Sequence, residues 1–461
     1  MGYEERSEET WLAALKQVIG ERITQNPSIL EQHSKDESFH TPRLPAAVAF
    51  AESTEEVQKI LSICHEFRRP VIGFGAGSSL EGHVVPTLDK TVLTLDLTGM
   101  NKILEVHQED LDVVVQAGVT RKQLNNHLRD TGLFFPVDPG ADATIGGMAA
   151  TRASGTNAVR YGTMRENILN LTAVLADGRV IKTGQRARKS SAGYDLTRLL
   201  VGSEGTLGII TEATLRLHGI PESLMAAVAR FDTLEGAVNT VIDTLHCGLA
   251  VGRIELLDEL QIRAVNQYSQ TNYAETPTLF LEFQGSPSHV EADAAMFGEL
   301  AEAHGLMDIT YGKKEEERRD LWQARHNVWY ANRTLRPGTK GWATDVCVPI
   351  SHLAECILKT REDVDASGLI APIVGHVGDG NFHLSIMLDP DDKEEVAKAY
   401  ALNDRLVTRA LEMEGTCTGE HGVGEGKIAA LRQELGDAVD VMVAIKKALD
   451  PHNILNPGKI F

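Results

Sequence analysis

The sequence is poor in cysteine, short of positive charge and without a long apolar run, and each shortage removes a class of function. Its five cysteines, at positions 64, 247, 347, 356 and 417, form no Cys-x-x-Cys pair. That excludes an iron–sulfur or zinc-ribbon site built on this spacing and fits a reducing compartment. Against 65 Asp and Glu stand only 45 Lys and Arg, a formal net charge of −20. No basic face large enough for nucleic acid is expected, and charge alone would not dock the chain on anionic lipid. No stretch approaches the ~18–20 apolar residues of a spanning helix. The first residues carry Glu4, Glu5, Glu8 and Glu9 where a signal peptide would be apolar. The expectation is a cytoplasmic protein with no membrane span, at most peripheral at the inner membrane face, with chain enough at 461 residues for two or three domains.

What is present is most informative between Gly375 and Met387. Apolar, partly β-branched flanks surround Gly378-Asp379-Gly380-Asn381, which reads as a β-hairpin closed by Asp379-Gly380. Counting outward, Gly378 faces Asn381, Val377 faces Phe382 and His376 faces His383. Directly opposed residues share one sheet face with Cβ atoms about 4.5–5.5 Å apart, close enough for both imidazoles to reach one metal ion. Asn381 projects from that face, while Val377 and Phe382 point into a core. The plainer alternative is a pair of structural histidines. A candidate for a further ligand lies in Gly419-Glu420-His421-Gly422. If that segment is extended, Glu420 and His421 point opposite ways, so that one could bind a metal while the other faces a substrate. A two-histidine, one-glutamate set would leave a coordination position open, as in catalytic metal sites, and suits zinc or manganese better than calcium or magnesium.

Elsewhere the chain alternates short strands and helices. Residues 8–33 read as an amphipathic helix, Ala47–Ala51 as a strand, Ser53–Phe67 as a capped helix and Pro70–Phe74 as a strand. The loop that follows, Gly73-Phe74-Gly75-Ala76-Gly77-Ser78-Ser79, offers backbone N–H groups to a phosphate. It is not a Rossmann unit. The third glycine of the fingerprint would fall on Ser78 or Leu80, and only about eleven residues, Pro86 among them, separate the loop from the next strand at Thr91–Leu95. Around Pro139-Gly140, Thr144-Ile145-Gly146-Gly147 and Ser154-Gly155-Thr156-Asn157 the chain is mostly Gly, Ala, Ser and Thr. Such a run cannot fill a core and lets backbone approach something flat or bulky.

With Arg160-Tyr161-Gly162 and Gly205-Thr206-Leu207-Gly208-Ile209-Ile210, these stretches resemble the flavin-dependent oxidoreductases with a vanillyl-alcohol-oxidase-type FAD-binding domain. The C-terminal half is similar to the FAD-linked D-2-hydroxyacid dehydrogenases, most nearly the D-lactate dehydrogenase branch. The residues carrying that likeness are Leu321–Asn327, Thr344–Pro349, Gly375–His383, Gly415–Gly424 and Asn456–Lys459.

The resemblance implies an α+β architecture: a two-lobed FAD-binding domain over residues 1–218, a cap of antiparallel sheet and helices over 219–410 that binds substrate, and a segment 411–461 returning to the flavin. It implies that Gly73, Gly75, Ala76, Gly77, Ser78 and Ser79 hold the FAD pyrophosphate. Pro139, Gly140, Thr144, Gly146, Gly147, Ser154, Gly155, Asn157, Tyr161, Gly162, Gly205, Gly208, Ile209, Ile210 and Asn456 would line the rest of the cofactor. It further implies that His376, His383 and Glu420 bind a divalent metal, that His421 is the base, that Arg325 clamps the substrate carboxylate and that Asn381 bonds near the reacting carbon. No histidine stands inside the phosphate loop, where some relatives attach flavin covalently, so the FAD is expected to dissociate. Glu315–Tyr330 reads as one helix placing Trp322, Arg325 and Trp329 on a shared face, Trp329 completing the catalytic group; alternatively Arg325 simply pairs with the acidic Glu315–Glu317 cluster. Relatives acting on 2-hydroxyglutarate carry an extra basic residue just before the position of Asp345. Here Ala343 and Thr344 stand there, so the implied substrate is a D-2-hydroxy monocarboxylic acid. Electrons would pass to a separate acceptor: an electron-transfer flavoprotein, a cytochrome or a quinone-linked protein. Two alternatives are the flavoprotein subunit of a multi-subunit glycolate oxidase and a flavin-free metal-dependent hydrolase.

Overall fold

Two compact units make up the computed structural model, which describes residues 7–87 and 91–461. One unit takes the chain up to Ser154, Gly162–Ile220 and Glu420–Phe461; the other takes Gly155–Tyr161 and Pro221–Gly419. The class is α+β, as expected.

Besides a two-stranded ribbon of Leu133–Phe134 with His218–Gly219, the first unit contains two larger sheets, each with its own core. In the smaller, Ala47–Phe50, Leu93–Asp96 and Val71–Phe74 run parallel in that order, and Ile23–Thr24 adds an antiparallel edge. Val71–Phe74 and Leu93–Asp96 are direct parallel neighbours, yet the described residues between them form no helix. The crossover is therefore not a Rossmann one. Glu8–Ile19 and Thr54–Phe67 pack on this sheet, burying Trp11, Leu15, Ile60 and Leu61 completely. The single helix expected over 8–33 is broken: Gly20 closes the first helix, and a second, Pro27–Gln32, starts on the Asn26 cap with proline at its first turn. The larger sheet is antiparallel, ordered Ile103–His107, Asp112–Gln116, Ile209–Arg216, Ile168–Val174, Val180–Lys182.

The second unit is built on one antiparallel sheet. Its order is Leu306–Gly312, Ser223–Phe231, Thr278–Gly285, Val251–Leu257, Ile373–His376, Asn381–Leu388, Lys340–Ala343, and Val346–Cys347 also pairs with the Asn381–Leu388 strand. Helices cover both faces. Phe280 and Val228 join Ile262, Trp322 and Val328 on one side. Phe283, of opposite parity, meets Phe297 of the Pro287–Ala303 helix with ring centroids 5.8 Å apart. Burial on both sides explains why Thr278–Phe283 is apolar almost without interruption. A charged side chain pointing inward from such a sheet is costly unless partnered, and the few that do so here mark the candidate site.

Candidate active site

The Ile373–Leu388 hairpin keeps its expected face but not its expected register. His376 pairs with Asn381, Gly375 with Phe382 and Val374 with His383. The turn is not the two-residue Asp379-Gly380 reverse turn but a helical one over Val377–Asp379, ended by Gly380 at φ +80°. The neighbouring strand causes this. Val348 N donates to Gly380 O at 3.0 Å, and a Cβ on Gly380 would stand 2.0 Å from Val348 O, so the turn is held against Val346–Val348 rather than free to tighten. A shift of two residues preserves parity. His376, Asn381 and His383 therefore still share a face, with the imidazole centroids 5.6 Å apart, while Phe382 is wholly buried from the other side. Phe382→Ala should cost about 3–5 kcal/mol in urea unfolding; a loss below 1 kcal/mol would show that this face does not carry the hairpin's core.

On the shared face the groups are held by neighbours that the sequence did not announce. Leu256 pairs with Gly375 and Leu257 with Val374, which brings Glu255 beside His376. The Glu255 side chain is fully buried, and Oε1 lies 2.7 Å from His376 Nδ1. Its Oε2 accepts from Arg325 Nε at 2.9 Å and Nη2 at 2.6 Å. Burial alone would raise this carboxyl, but His376 and Arg325 outweigh it and hold its pKa below the ordinary value. Arg325 thus pairs with Glu255 and not with the Glu315–Glu317 cluster. His383 Nδ1 lies 2.9 Å from Thr344 O. A carbonyl can only accept, so Nδ1 carries the proton and Nε2 keeps the lone pair. Asn381 Nδ2 donates to Asp345 Oδ1 at 2.9 Å and Val346 O at 2.8 Å, which commits its amide hydrogens and leaves Oδ1 as an acceptor. Thr418 Oγ1 donates to Asp345 Oδ2 at 2.7 Å.

The expected Glu315–Tyr330 helix is two helices, Glu315–His326 and Val328–Asn332, separated at Asn327. Trp322 and Arg325 belong to the first: Trp322 is buried beneath the Arg253 guanidinium, 5.0 Å from ring to cation. Trp329 belongs to the second and packs over Gly341, where a Cβ would sit 3.1 Å from its ring.

Glu420 and His421 open the last segment of the first unit. The segment is bent rather than extended, and the two side chains do not diverge: His421 Nε2 lies 3.9 Å from Glu420 Oε1. The following turn is wound around a buried carboxylate. Val423 N and Gly424 N donate to Glu204 at 2.7 and 2.8 Å, and His83 Nε2 stands 3.1 Å from Glu204 Oε2, a close ion pair rather than an aligned hydrogen bond. Gly424, at φ +52°, passes so near Glu81 O that a Cβ would lie 2.0 Å from it; only glycine fits. Glu81 in turn pairs with Lys427 at 2.9 Å. Glu204 sits inside the Gly202–Gly208 motif, yet nothing in the sequence marked its carboxylate as the anchor of this turn.

The residues expected to hold FAD divide between the units. In the first, Gly75 approaches Thr144 so closely that a Cβ would stand 2.2 Å from its Oγ1. The backbone N–H groups of Ala76, Gly77, Ser78 and Ser79 donate to no acceptor among the described residues. A closely approached strand end with undonated amides fits a pyrophosphate. Thr144 caps the Ile145–Thr151 helix that carries Gly146 and Gly147. Asn456 Nδ2 donates to His83 O and Glu204 O, so Asn456 and the Gly205 turn lie together. Gly208 leads into the Ile209–Arg216 strand, and Pro139, Gly140, Ser154 and Gly162 are also in this unit. Gly155, Asn157 and Tyr161 cluster with the second unit instead: Arg253 Nε donates to Asn157 Oδ1 at 2.7 Å, and Tyr161 Oη donates to Gln284.

Residues 45–184 match the family described as FAD binding domain, and residues 220–460 match the C-terminal domain of the FAD linked oxidases. A Danio rerio protein named probable D-lactate dehydrogenase, mitochondrial, is 51% identical, over 97% of this chain and 91% of its own length. An Arabidopsis thaliana protein named D-lactate dehydrogenase (cytochrome), mitochondrial, is 46% identical, over 96% of this chain and 81% of its own. Among solved structures, 4-ethylphenol oxidase from Gulosibacter chungangensis superposes with a TM-score of 0.79, covering 98% of this chain and 97% of that one, at 18% identity. The last likeness is one of fold.

Proposed function

The chain belongs to the family of FAD-linked oxidases, and from that premise we propose that it oxidises a D-2-hydroxy monocarboxylic acid, D-lactate foremost, to the 2-oxo acid. The observation that carries this reading is likeness along nearly the whole chain, at 51% identity, to a protein named for that activity. Bound FAD would supply the hydride acceptor for the substrate C2, and a bound zinc or manganese ion would supply Lewis-acid polarisation of the 2-hydroxyl. Nε2 of His376 and His383 and the Glu420 carboxylate would hold the ion; the Nδ1 contacts of both imidazoles support this, since each turns Nε2 into the ring's remaining donor.

The protein's own groups do the rest. Arg325 binds the substrate carboxylate through the guanidinium edge that Glu255 leaves open. His421 takes the hydroxyl proton, a role worth about 10²–10⁴-fold. Asn381 accepts a hydrogen bond near C2 through Oδ1, and Trp329 walls the site. Ala343 and Thr344 are buried and uncharged, which supports one carboxylate rather than two. On this reading residues 1–218 serve FAD, 219–410 serve the substrate and 411–461 complete the site. Five cysteines, none of them in a disulfide among the described residues, support a reducing compartment, a condition that cytoplasm and mitochondrial matrix share, and no helix among the described residues is long and apolar enough to cross a membrane. With no Cys-x-x-Cys pair for a cluster, electrons leave to a separate carrier, for which a cytochrome is favoured by the name of the Arabidopsis thaliana relative.

Anaerobic mixing tests the reading: D-lactate should bleach the yellow flavin faster than L-lactate does. A colourless protein, or faster reduction by the L isomer, would overturn it. The FAD should also be non-covalent. His83, the histidine nearest the phosphate loop in sequence, is buried and paired with Glu204, so acid precipitation should release all the colour to the supernatant. Colour kept in the pellet would contradict this.

A further inference from the structure

We propose that Glu255 is a positioning residue that sets two groups at once: the imidazole of His376 and the guanidinium of Arg325. This inference rests on the reading above, in which His376 meets the metal and Arg325 the substrate. Three observations carry it. The side chain has no exposed surface, and its two oxygens are divided between the two partners, Oε1 to His376 and Oε2 to Arg325. The contact to His376 falls on Nδ1. A carboxylate there accepts the Nδ1 proton, fixes the tautomer and makes Nε2 the metal-facing, more basic nitrogen. The contact to Arg325 occupies Nε and one hydrogen of Nη2. Of five guanidinium hydrogens three remain, one on Nη2 and one on Nη1 sharing the terminal edge and the last on the Cδ side of Nη1, so a substrate carboxylate bound bidentately approaches end-on along Nη1 and Nη2. Lysine, a single point charge, could not bond Glu255 and a carboxylate in that way.

A buried Glu–Arg–His cluster that only stabilised the sheet would have no reason to fix these particular edges, and the two roles separate experimentally. Glu255→Gln keeps the shape and one acceptor oxygen but can no longer accept hydrogen bonds on both sides, as the carboxylate does. Zinc affinity, read by competition with a fluorescent chelator, should fall about 10–100-fold, the usual effect of removing a ligand's orienting carboxylate. The KM for D-lactate should rise about tenfold or more, as expected for a weakened hydrogen bond to a charged group. FAD content, read from the visible spectrum, should be unchanged. Glu255→Asp retains the charge on a shorter arm and should fall between the wild type and Glu255→Gln in both readouts, which keeps the idea testable if the glutamine variant does not fold. The inference is overturned if folded Glu255→Gln binds zinc and D-lactate within twofold of the wild type, or if Glu255→Asp equals the wild type in both. His383→Ala in the same assay tells the two ideas apart. If it loses zinc while Glu255→Gln does not, the inference fails and the metal reading stands; if the wild type itself takes up no zinc, the metal reading fails.

Discussion

Replacing His383 by alanine should abolish turnover while leaving the flavin bound and the hairpin folded. Two imidazoles and one carboxylate form the smallest set that holds a catalytic ion and leaves a position for substrate, and removing one leaves too few. If the proposed ion acts as a Lewis acid worth several kcal/mol, its loss would correspond to a fall in kcat of at least ~10³-fold. Stability should change little by comparison. The hairpin's core is carried by Phe382 and Leu384, both fully buried and of the parity opposite to His383. The His383 side chain lies in hydrogen-bond reach of Thr344 O, and leaving that carbonyl without it costs about 1–3 kcal/mol. The phosphate loop Gly73–Ser79 lies in a different part of the chain, so flavin absorbance should be retained. Treatment of the wild type with a chelator should reproduce the loss, and zinc or manganese should reverse it. Metal-free protein oxidising D-lactate at the full rate would sink the idea and leave His421 and Arg325 to carry the reaction.

What could be read from the sequence was local. That His376, Asn381 and His383 share one face of the hairpin was legible because strand parity is robust: the register was off by two residues, and an even slip returns every side chain to its own face. The glycine-rich loop's place at the end of a strand and the absence of a Rossmann crossover were also legible, since both depend on contiguous residues. Glu255 was not, although a lone carboxylate inside Ile254-Glu255-Leu256-Leu257 is a warning of a buried partner. Knowing that partner requires knowing which strand lies beside Ile373–His376, a pairing across more than a hundred residues that no local pattern encodes. The break at Asn327 escaped for a different reason. Every residue of Glu315–Tyr330 favours or tolerates helix, and what ends the first helix is not a proline or glycine. The departure of Gly155–Tyr161 to the second unit is again tertiary, made by Asn157 with Arg253 and Tyr161 with Gln284.

Removing the Glu204 carboxylate should destabilise the protein by about 3–5 kcal/mol, the usual cost of breaking a buried ion pair from one side. Glu204→Ala strands the His83 imidazole and the amides of Val423 and Gly424, all inside a region where Glu204 is only 6% exposed. The pH dependence gives a sharper signature than the size. Burial by itself disfavours charge on both groups, yet each is held charged by the other: the Glu204 pKa is lowered from 4.5 and the His83 pKa raised from 6.5. A lowered carboxyl stabilises fully above its unfolded pKa and loses that contribution as pH falls through its folded value. A raised imidazole stabilises fully below its unfolded pKa and loses its contribution as pH rises through its folded value. The gap between wild type and Glu204→Ala should therefore be widest between pH 4.5 and 6.5 and should narrow on the alkaline side, where the hydrogen bonds to Val423 and Gly424 persist but the imidazolium does not. Because the same turn follows His421 directly, the variant should also lose kcat for D-lactate. Urea unfolding of both proteins at about pH 5.5, inside that window, and about pH 9, above the ordinary imidazole pKa of about 6.5, decides the matter: a gap equal at the two pH values, or below about 1 kcal/mol at both, would mean that Glu204 does not anchor the turn through its charge.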